Sequence, residues 1–324
     1  MLPGHTPYQS VGARSQRFLV AIVVGIAAVG CSSSGGKPTG GDEPIKSDAG
    51  SPSPREPDAA PPPKESGVAP TMCHGPGYAG SPTKQQFSHL SATVVDDNGK
   101  PVAGVVAQAC GTNICLNGTT ADNGTVAIDQ PVGMTKPAFK YGGGENFVRF
   151  ALPLTDSAID VDLGKEITFP FDPPASGVAL EPGKAAVSNG ITLTVSAATT
   201  TITPDPFDFD TDDLKKFRAR EVPIDGAPAA VDPSFDFGMV VALTPAATVL
   251  CPAAALSVPN SPGWAAGSRV EMFLHGVDVD EEWAPYGGWA KVSEGAVSAD
   301  AKTIETDQDG GLPALSVVGI RLAK

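Results

Sequence analysis

From Gln86 onward the chain is a succession of short runs that alternate apolar and polar residues, separated by Asn-Gly pairs and other turn formers. A period of two belongs to half-buried strands, and Asn-Gly accepts the positive φ of tight hairpins. No run carries a helical period long enough to compete. "HLSATVVDDNGKPVAGVVAQAC" reads as two strands joined across Asp97-Asn98-Gly99-Lys100. Further turns are expected at Asn117-Gly118, Asn123-Gly124 and Asn189-Gly190, and "TVAIDQ", "ENFVRFALPL" and "SAIDVDLG" read as strands. So many short strands in one stretch predict a small antiparallel sandwich over residues 73–168. "FPFDPPASG" (169–177) is a Pro/Gly-rich break, and "GITLTVSAATTTI", "FRAREVPI", "FDFGMVVALTP", "SRVEMFLHGV", "WAKVS" and "ALSVVGIRLA" predict a second sandwich over 176–324. The fold class expected is all-β, two sandwiches in tandem.

The residues before the sandwiches read as an address and a tether. Arg14 and Arg17 precede the apolar run Phe18–Val29, which is too short to span a bilayer core of about 30 Å and reads as a signal peptide over 1–30. Ala28-Val29-Gly30-Cys31 resembles the bacterial lipobox, with Ala28 where leucine is usual. That resemblance implies an acylated Cys31, a membrane partner through the lipid, and, with Ser32 following, an outer-membrane or cell-surface location. Residues 31–72 are rich in Ser, Pro and Gly and hold almost nothing that burial would reward, so a disordered stalk is expected.

Charge and cysteines narrow the partners. The chain carries 22 Lys+Arg against 36 Asp+Glu, and removing Arg14 and Arg17 makes it more acidic still. That balance argues against nucleic acid or an anionic lipid surface. Beyond the export signal stand Cys73, Cys110, Cys115 and Cys251, an even number that implies oxidised pairs. Cys110 and Cys115 flank "GTNI", a connection short enough to place them opposite each other on a hairpin, and by elimination Cys73 pairs with Cys251. Zinc is the rival reading, but no CxxC is present and only His74 stands near a cysteine.

Two family resemblances follow from quoted motifs. Asn98-Gly99-Lys100-Pro101-Val102-Ala103-Gly104, followed by Thr120-Ala121-Asp122-Asn123-Gly124, resembles the carboxypeptidase-regulatory-like, transthyretin-like β-sandwich. That family is a structural and binding module, and the resemblance implies no catalytic residues. "ALTPAATVLCPAAALSVPNSPGWAAGSRVEMFLHG" and "GAVSADAKTIETDQDGGLPALS" resemble, in turn placement, the β-sandwich of zona-occludens proteins, ankyrins and netrin receptors. This second resemblance implies the fold alone.

Little in the chain is shaped for chemistry. "GVALEPGKAA" fails as a phosphate loop: Gly177 and Gly183 are a residue too far apart, and Ala185 replaces the magnesium-binding hydroxyl. "YGGGENF" lacks a following helix, no GxSxG occurs, and the histidines follow no metal spacing. Alternation puts His275 on one face with Glu271 and Phe273, which reads as a surface or rim position. In "DPFDFDTDDLKKF", Asp208, Asp210, Asp212 and Asp213 have the spacing of calcium ligands, yet Asp213 and Ala219 break the EF-hand pattern at its glycine and glutamate. The plainer reading is a solvated acidic loop capping a helical turn. No cofactor other than weak calcium is expected, and no enzyme.

The most unusual stretch is "VDVDEEWAPYGGWAKVS" (277–293), four acids ahead of Trp283, Tyr286 and Trp289. Alternation places Trp289 with Lys291 on the outer face, so Trp289 is expected to be partly exposed, with Trp283 packed inside. Exposed aromatics beside carboxylates suit a polysaccharide, whereas packed ones only close the end of a sandwich. The function expected is a non-catalytic surface lipoprotein binding a protein or polysaccharide. The alternative is an accessory component of an extracellular degradative system.

Overall fold

In the computed structural model, residues 73–78, 84–85, 88–129, 133–141, 146–154, 160–204 and 211–324 are described, all within the compact unit Pro63–Lys324. Cys31, the signal and the stalk residues up to 72 lie outside the described residues, as do Asp208 and Asp210. The fold is all-β.

In chain order the first half runs β1 (Lys84–Gln85), β2 (His89–Val95), β3 (Val106–Cys110), β4 (Cys115–Thr119), β5 (Thr125–Asp129), β6 (Met134–Thr135), β7 (Ala138–Tyr141), β8 (Phe150–Pro153) and β9 (Asp160–Ile167). One sheet has the order β5-β2-β9 and the other β4-β3-β7-β8, with β1 and β6 forming a separate ribbon. Leu90, Ala92, Val126 and Ile128 from the first sheet share a buried cluster with Ala107, Ala109, Phe139, Tyr141 and Phe150 from the second. The turns expected at Asn98-Gly99 and Asn123-Gly124 form. Asp96 Oδ1 accepts the Asn98 and Lys100 amides, both at 2.9 Å, and Gly99 takes φ +76°. Asn117-Gly118, by contrast, lies inside β4. A Cβ on Gly118 would come within 2.7 Å of Val126, so this glycine serves close sheet packing. The sheets are also not wholly antiparallel, because β2 and β9 pair in parallel.

That parallel pair contains a bulge with a consequence for the core. Ser91 faces Asp162 while Thr93 faces Lys165, so β9 carries one extra residue, beside Gly164 at φ +69°. An inserted residue reverses which side chains face inward. Val161 and Leu163 pack on the core before the bulge, and beyond it the fully buried positions are Glu166 and Thr168.

The second half runs β10 (Ala185–Ser188), β11 (Ile191–Thr194), β12 (Thr201–Thr203), β13 (Arg218–Val222), β14 (Met239–Thr244), β15 (Val249–Pro259), β16 (Arg269–His275), β17 (Trp289–Val297), β18 (Thr303–Thr306), β19 (Leu312–Ala314) and β20 (Val317–Leu322). Its sheet has the order β10-β11-β15-β18-β17-β16-β20-β14-β13, with β12 and β19 also pairing with β15. The two edges nearly close the sheet on itself. Ser188 Oγ accepts the Ala219 amide at 3.0 Å, and Asn189 Nδ2 donates to the Ala219 carbonyl at 2.9 Å. Side chains thus do the work of the missing ladder, which leaves little of either edge open to a foreign strand.

Inside this barrel-like sheet pack Leu193, Phe217, Leu250, Val270, Met272 and Ile304. Much of the outer face of β14, β16, β17 and β20 is covered. Val240, Ala242, Phe273, Trp289 and Val317 belong to the same buried cluster as Phe139, Phe150, Phe169 and Phe171 of the first half. Every residue of β14 is therefore buried. The "FPFDPPASG" break lies in this seam, with Phe169 and Phe171 buried and the Arg218 guanidinium donating to the Asp172 carbonyl at 3.1 Å.

Candidate functional site

The acidic–aromatic stretch connects β16 to β17 and is pinned from several sides. It turns tightly: the Gly276 amide donates to the Gly288 carbonyl at 2.9 Å, and Gly287 donates back to Gly276 at 2.7 Å. A Cβ on Gly276 would lie 2.0 Å from the Pro285 carbonyl oxygen, so only glycine allows this approach. Glu281, at φ +50°, accepts the Tyr286 amide at 3.1 Å and ion-pairs with Lys136 of the first half. The Tyr286 hydroxyl donates to the Cys110 carbonyl at 3.3 Å, and burial, with Asp278 nearby, holds this phenol above its ordinary pKa.

A strap formed by Cys73–Tyr78 crosses the same loop. The Gly77 and Tyr78 amides donate to the carbonyls of Glu282 and Glu281 at 3.2 and 2.9 Å. The Glu282 carboxylate accepts the Gly75 amide and pairs with His74, both at 3.2 Å. Cys73 and Cys251 lie at disulfide distance, with Cα atoms 5.1 Å apart, and Cys110 faces Cys115 across the β3–β4 hairpin.

None of the three aromatic side chains is presented to solvent. Trp283 is 5% exposed, within the barrel core as expected, Tyr286 is 8% exposed and Trp289 7%. The expected exposure of Trp289 is therefore corrected. Its indole N–H donates to the Ala230 carbonyl at 2.9 Å, and its ring packs 4.7 Å from His275 and 4.8 Å from Phe237. Alternation assigned Trp289 and Lys291 to the right face, but that face is covered by the first half at Trp289 and opens toward Lys291, Glu271 and Arg321. None of these three rings is left to stack on a sugar. Tyr286 and Trp289 are buried in different clusters, so the platform they would share does not form.

His275 is corrected for the same reason: it is fully buried rather than at a rim. Its Nε2 accepts the Ala151 amide of the first half at 3.1 Å, and its Nδ1–H donates to the Gly288 carbonyl at 3.0 Å. These partners fix one neutral tautomer, and burial lowers its pKa to about 4 against the smaller pull of the two backbone bonds. With both nitrogens engaged, the ring is a structural link between the halves.

Beside this loop lies a half-open cavity of about 170 Å³. Ala247, Val249, Leu274, Val277, Ala314 and Leu315 contribute apolar walls, and Asp278, Asp280, Glu281 and Glu282 line it as well. Trp283 also lines it, and its buried indole N–H has no hydrogen-bond partner. No protein-family model matches the chain, and no curated protein matches it.

The calcium candidates are brought to no common centre where they are described. Asp212 pairs with Lys215 at 3.5 Å and Asp213 with Lys216 at 2.6 Å, each three residues on, as on a helical turn. Among the described residues no three His, Cys, Asp or Glu side chains group to hold a metal ion.

Sequence reasoning missed Glu166, which is 2% exposed in the first half. Burial pushes its carboxyl up to about 7, opposed by a smaller effect of the Tyr141 hydroxyl. Tyr141 is close enough to act on this titration, yet neither its Oη nor Glu166 Oε2 completes a hydrogen bond. The only sequence signal was Gly164, where a bulge shifts the inward phase by one residue.

Proposed function

We propose that this chain is an exported, lipid-anchored surface protein whose folded unit binds a ligand through the cavity beside residues 276–286 and carries out no chemistry. The observation that carries export is the cysteine arrangement: Cys73 lies at disulfide distance from Cys251, and Cys110 from Cys115. Such pairs persist in oxidising compartments and are rare in the cytosol. The apolar run Phe18–Val29 ending at Cys31 supplies the route and the anchor. The cavity supports binding, since ligand sites are concave and mostly apolar with a few placed polar groups. Support for a non-catalytic role comes from His275, whose nitrogens are committed to backbone partners.

The test is fatty-acid labelling with membrane fractionation. Wild type incorporates label and sediments with membranes, and Cys31→Ala does neither. A Cys31→Ala protein that still sediments, beside an unlabelled wild type, overturns the anchor.

A further inference from the structure

We propose that the disulfide between Cys73 and Cys251 is a redox-sensitive latch, opened by a dithiol at the Cys73 sulfur, that holds the strap Cys73–Tyr78 on the loop over residues 276–286. The proposal needs neither the lipid anchor nor a ligand in the cavity. It stands on the unequal setting of the two sulfurs and on how little else holds the strap.

The two ends of the bond differ. Cys251 is 4% exposed and sits within β15, opposite Thr201 of β12, with its carbonyl accepting the Thr200 amide at 2.9 Å. Cys73 is exposed and belongs to no strand. Exchange begins with a thiolate attacking an accessible sulfur, and exposed disulfides are the labile and regulatory ones. One thiolate of the dithiol attacks Cys73 Sγ, the S–S bond breaks, and the electron pair leaves on Cys251 Sγ, which takes up a proton. The second thiol then loses its proton and attacks the mixed disulfide, and Cys73 leaves and is protonated. The dithiol is oxidised to its own disulfide, and its two electrons reduce the two cysteines to thiols.

Without the bond the strap has few ties. The Gly77 and Tyr78 amides reach the Glu282 and Glu281 carbonyls, the Gly75 amide reaches the Glu282 carboxylate, and Tyr78 packs partly buried against the barrel core. The His74 pair with Glu282 adds little, because the imidazole is 93% exposed. A hydrogen bond contributes, net, no more than fixing one residue's backbone costs, and three bonds here face six ordered residues. The disulfide is what keeps the strap down. The contact it secures is close: a Cβ on Gly75 would lie 1.8 Å from the Glu282 carbonyl oxygen. Release takes donors away from Glu281 and Glu282, two residues that line the cavity. The other disulfide is no such latch. Cys115 is exposed too, but its hairpin is also held by the Gly111 amide donating to Ile114 and by Asn113 bonding to both Gly133 and Thr135.

Hydrogen exchange with cysteine mapping tests this on the full chain, before and after millimolar dithiothreitol. After treatment, Cys73 and Cys251 are expected to be open to alkylation, and peptides spanning Cys73–Tyr78 to exchange at least tenfold faster. Met272–His275 is expected to stay at least tenfold slower than an unstructured peptide. A monothiol, glutathione, is expected to leave its mixed disulfide on Cys73. The untreated chain carrying Cys110→Ser with Cys115→Ser is expected to keep its strap protected, which assigns release to the long tie. The latch is overturned if Cys73 and Cys251 resist alkylation, if they are freed while the strap stays protected, or if that untreated variant has already lost the strap. Loss of protection in Met272–His275 together with the strap would make the bond a staple of the whole fold rather than a latch. A mixed disulfide on Cys251 would contradict attack at Cys73.

Discussion

Each half of the folded unit buries ionisable side chains, and two of them, Glu166 in the first half and His275 in the second, are housed in opposite ways. His275 meets one carbonyl and one amide, a donor and an acceptor matching a neutral imidazole, and one of the two comes from the other half. Glu166 is almost as deeply buried, yet Oε2 has no partner. A carboxylate only accepts, and no donor reaches that oxygen, so burial favours the protonated form. At His275, then, both ring nitrogens are satisfied where the halves meet. The interior of the first half tolerates a compromise, imposed by the bulge at Gly164.

The largest effects should come from ties that cross the seam. Cys73 leads into the first half and Cys251 lies on β15, closing a loop of 178 residues. In the chain-entropy model, replacing both by serine costs about 5 kcal/mol, against about 2 kcal/mol for the local pair Cys110 and Cys115. Chemical denaturation of the two double variants measures the gap, and equal losses would mean that the long tie does not constrain the unfolded chain. Next comes Trp289→Ala, which empties the seam and orphans the Ala230 carbonyl, at about 3–5 kcal/mol. A loss below about 1 kcal/mol would return Trp289 to the solvent side, because surface substitutions cost no more.

The buried pair itself is separated by pH. Glu166 has a folded pKa of about 7, above its ordinary 4.5, so its contribution is full below 4.5 and is lost as pH rises through 7. His275 has a folded pKa of about 4, below its ordinary 6.5, so its contribution is full above 6.5 and is lost as pH falls through 4. Between these limits the slopes oppose, and wild-type stability should be nearly flat from pH 4.5 to 6.5. Glu166→Gln removes the falling term and should leave stability rising by about 3 kcal/mol over that window, at about 1.4 kcal/mol per pKa unit. Urea midpoints at several pH values read it, and a variant as flat as wild type would show that the fold does not raise the Glu166 pKa. The smallest effect belongs to exposed Asp280: Asp280→Asn should change stability by less than about 0.5 kcal/mol.

Much of this was legible in the sequence, up to the question of what covers each face. The turns at Asn98-Gly99, Asn123-Gly124 and Asn189-Gly190 follow from local φ preferences, and they form where expected. Asn117-Gly118 has the same letters and forms no turn, because the demand there is for a missing side chain against Val126. Alternation placed Trp289 with Lys291, and His275 with Phe273, correctly. It could not say that the first half lies over that face, since the contact joins residues more than a hundred positions apart, such as Ala151 and His275. Phe273 was the available hint: a phenylalanine beside His275 on a supposedly wet face argues for a cover. Glu166 was hidden for a different reason, since a bulge changes the phase of a strand without changing its composition. The strap at Cys73–Tyr78 was visible only as a cysteine in want of a partner.

The claim on which the rest depends is that the two halves share one core and open together. Hydrogen exchange of the chain, followed by mass spectrometry, tests it on peptides from Leu90–Val95 and from Met272–His275. The shared cluster predicts the same opening free energy for both segments, and an equal loss in both when Trp289 is replaced by alanine. If the first segment opens by itself, with protection that Trp289→Ala leaves unchanged, the halves are separate domains and the seam holds neither.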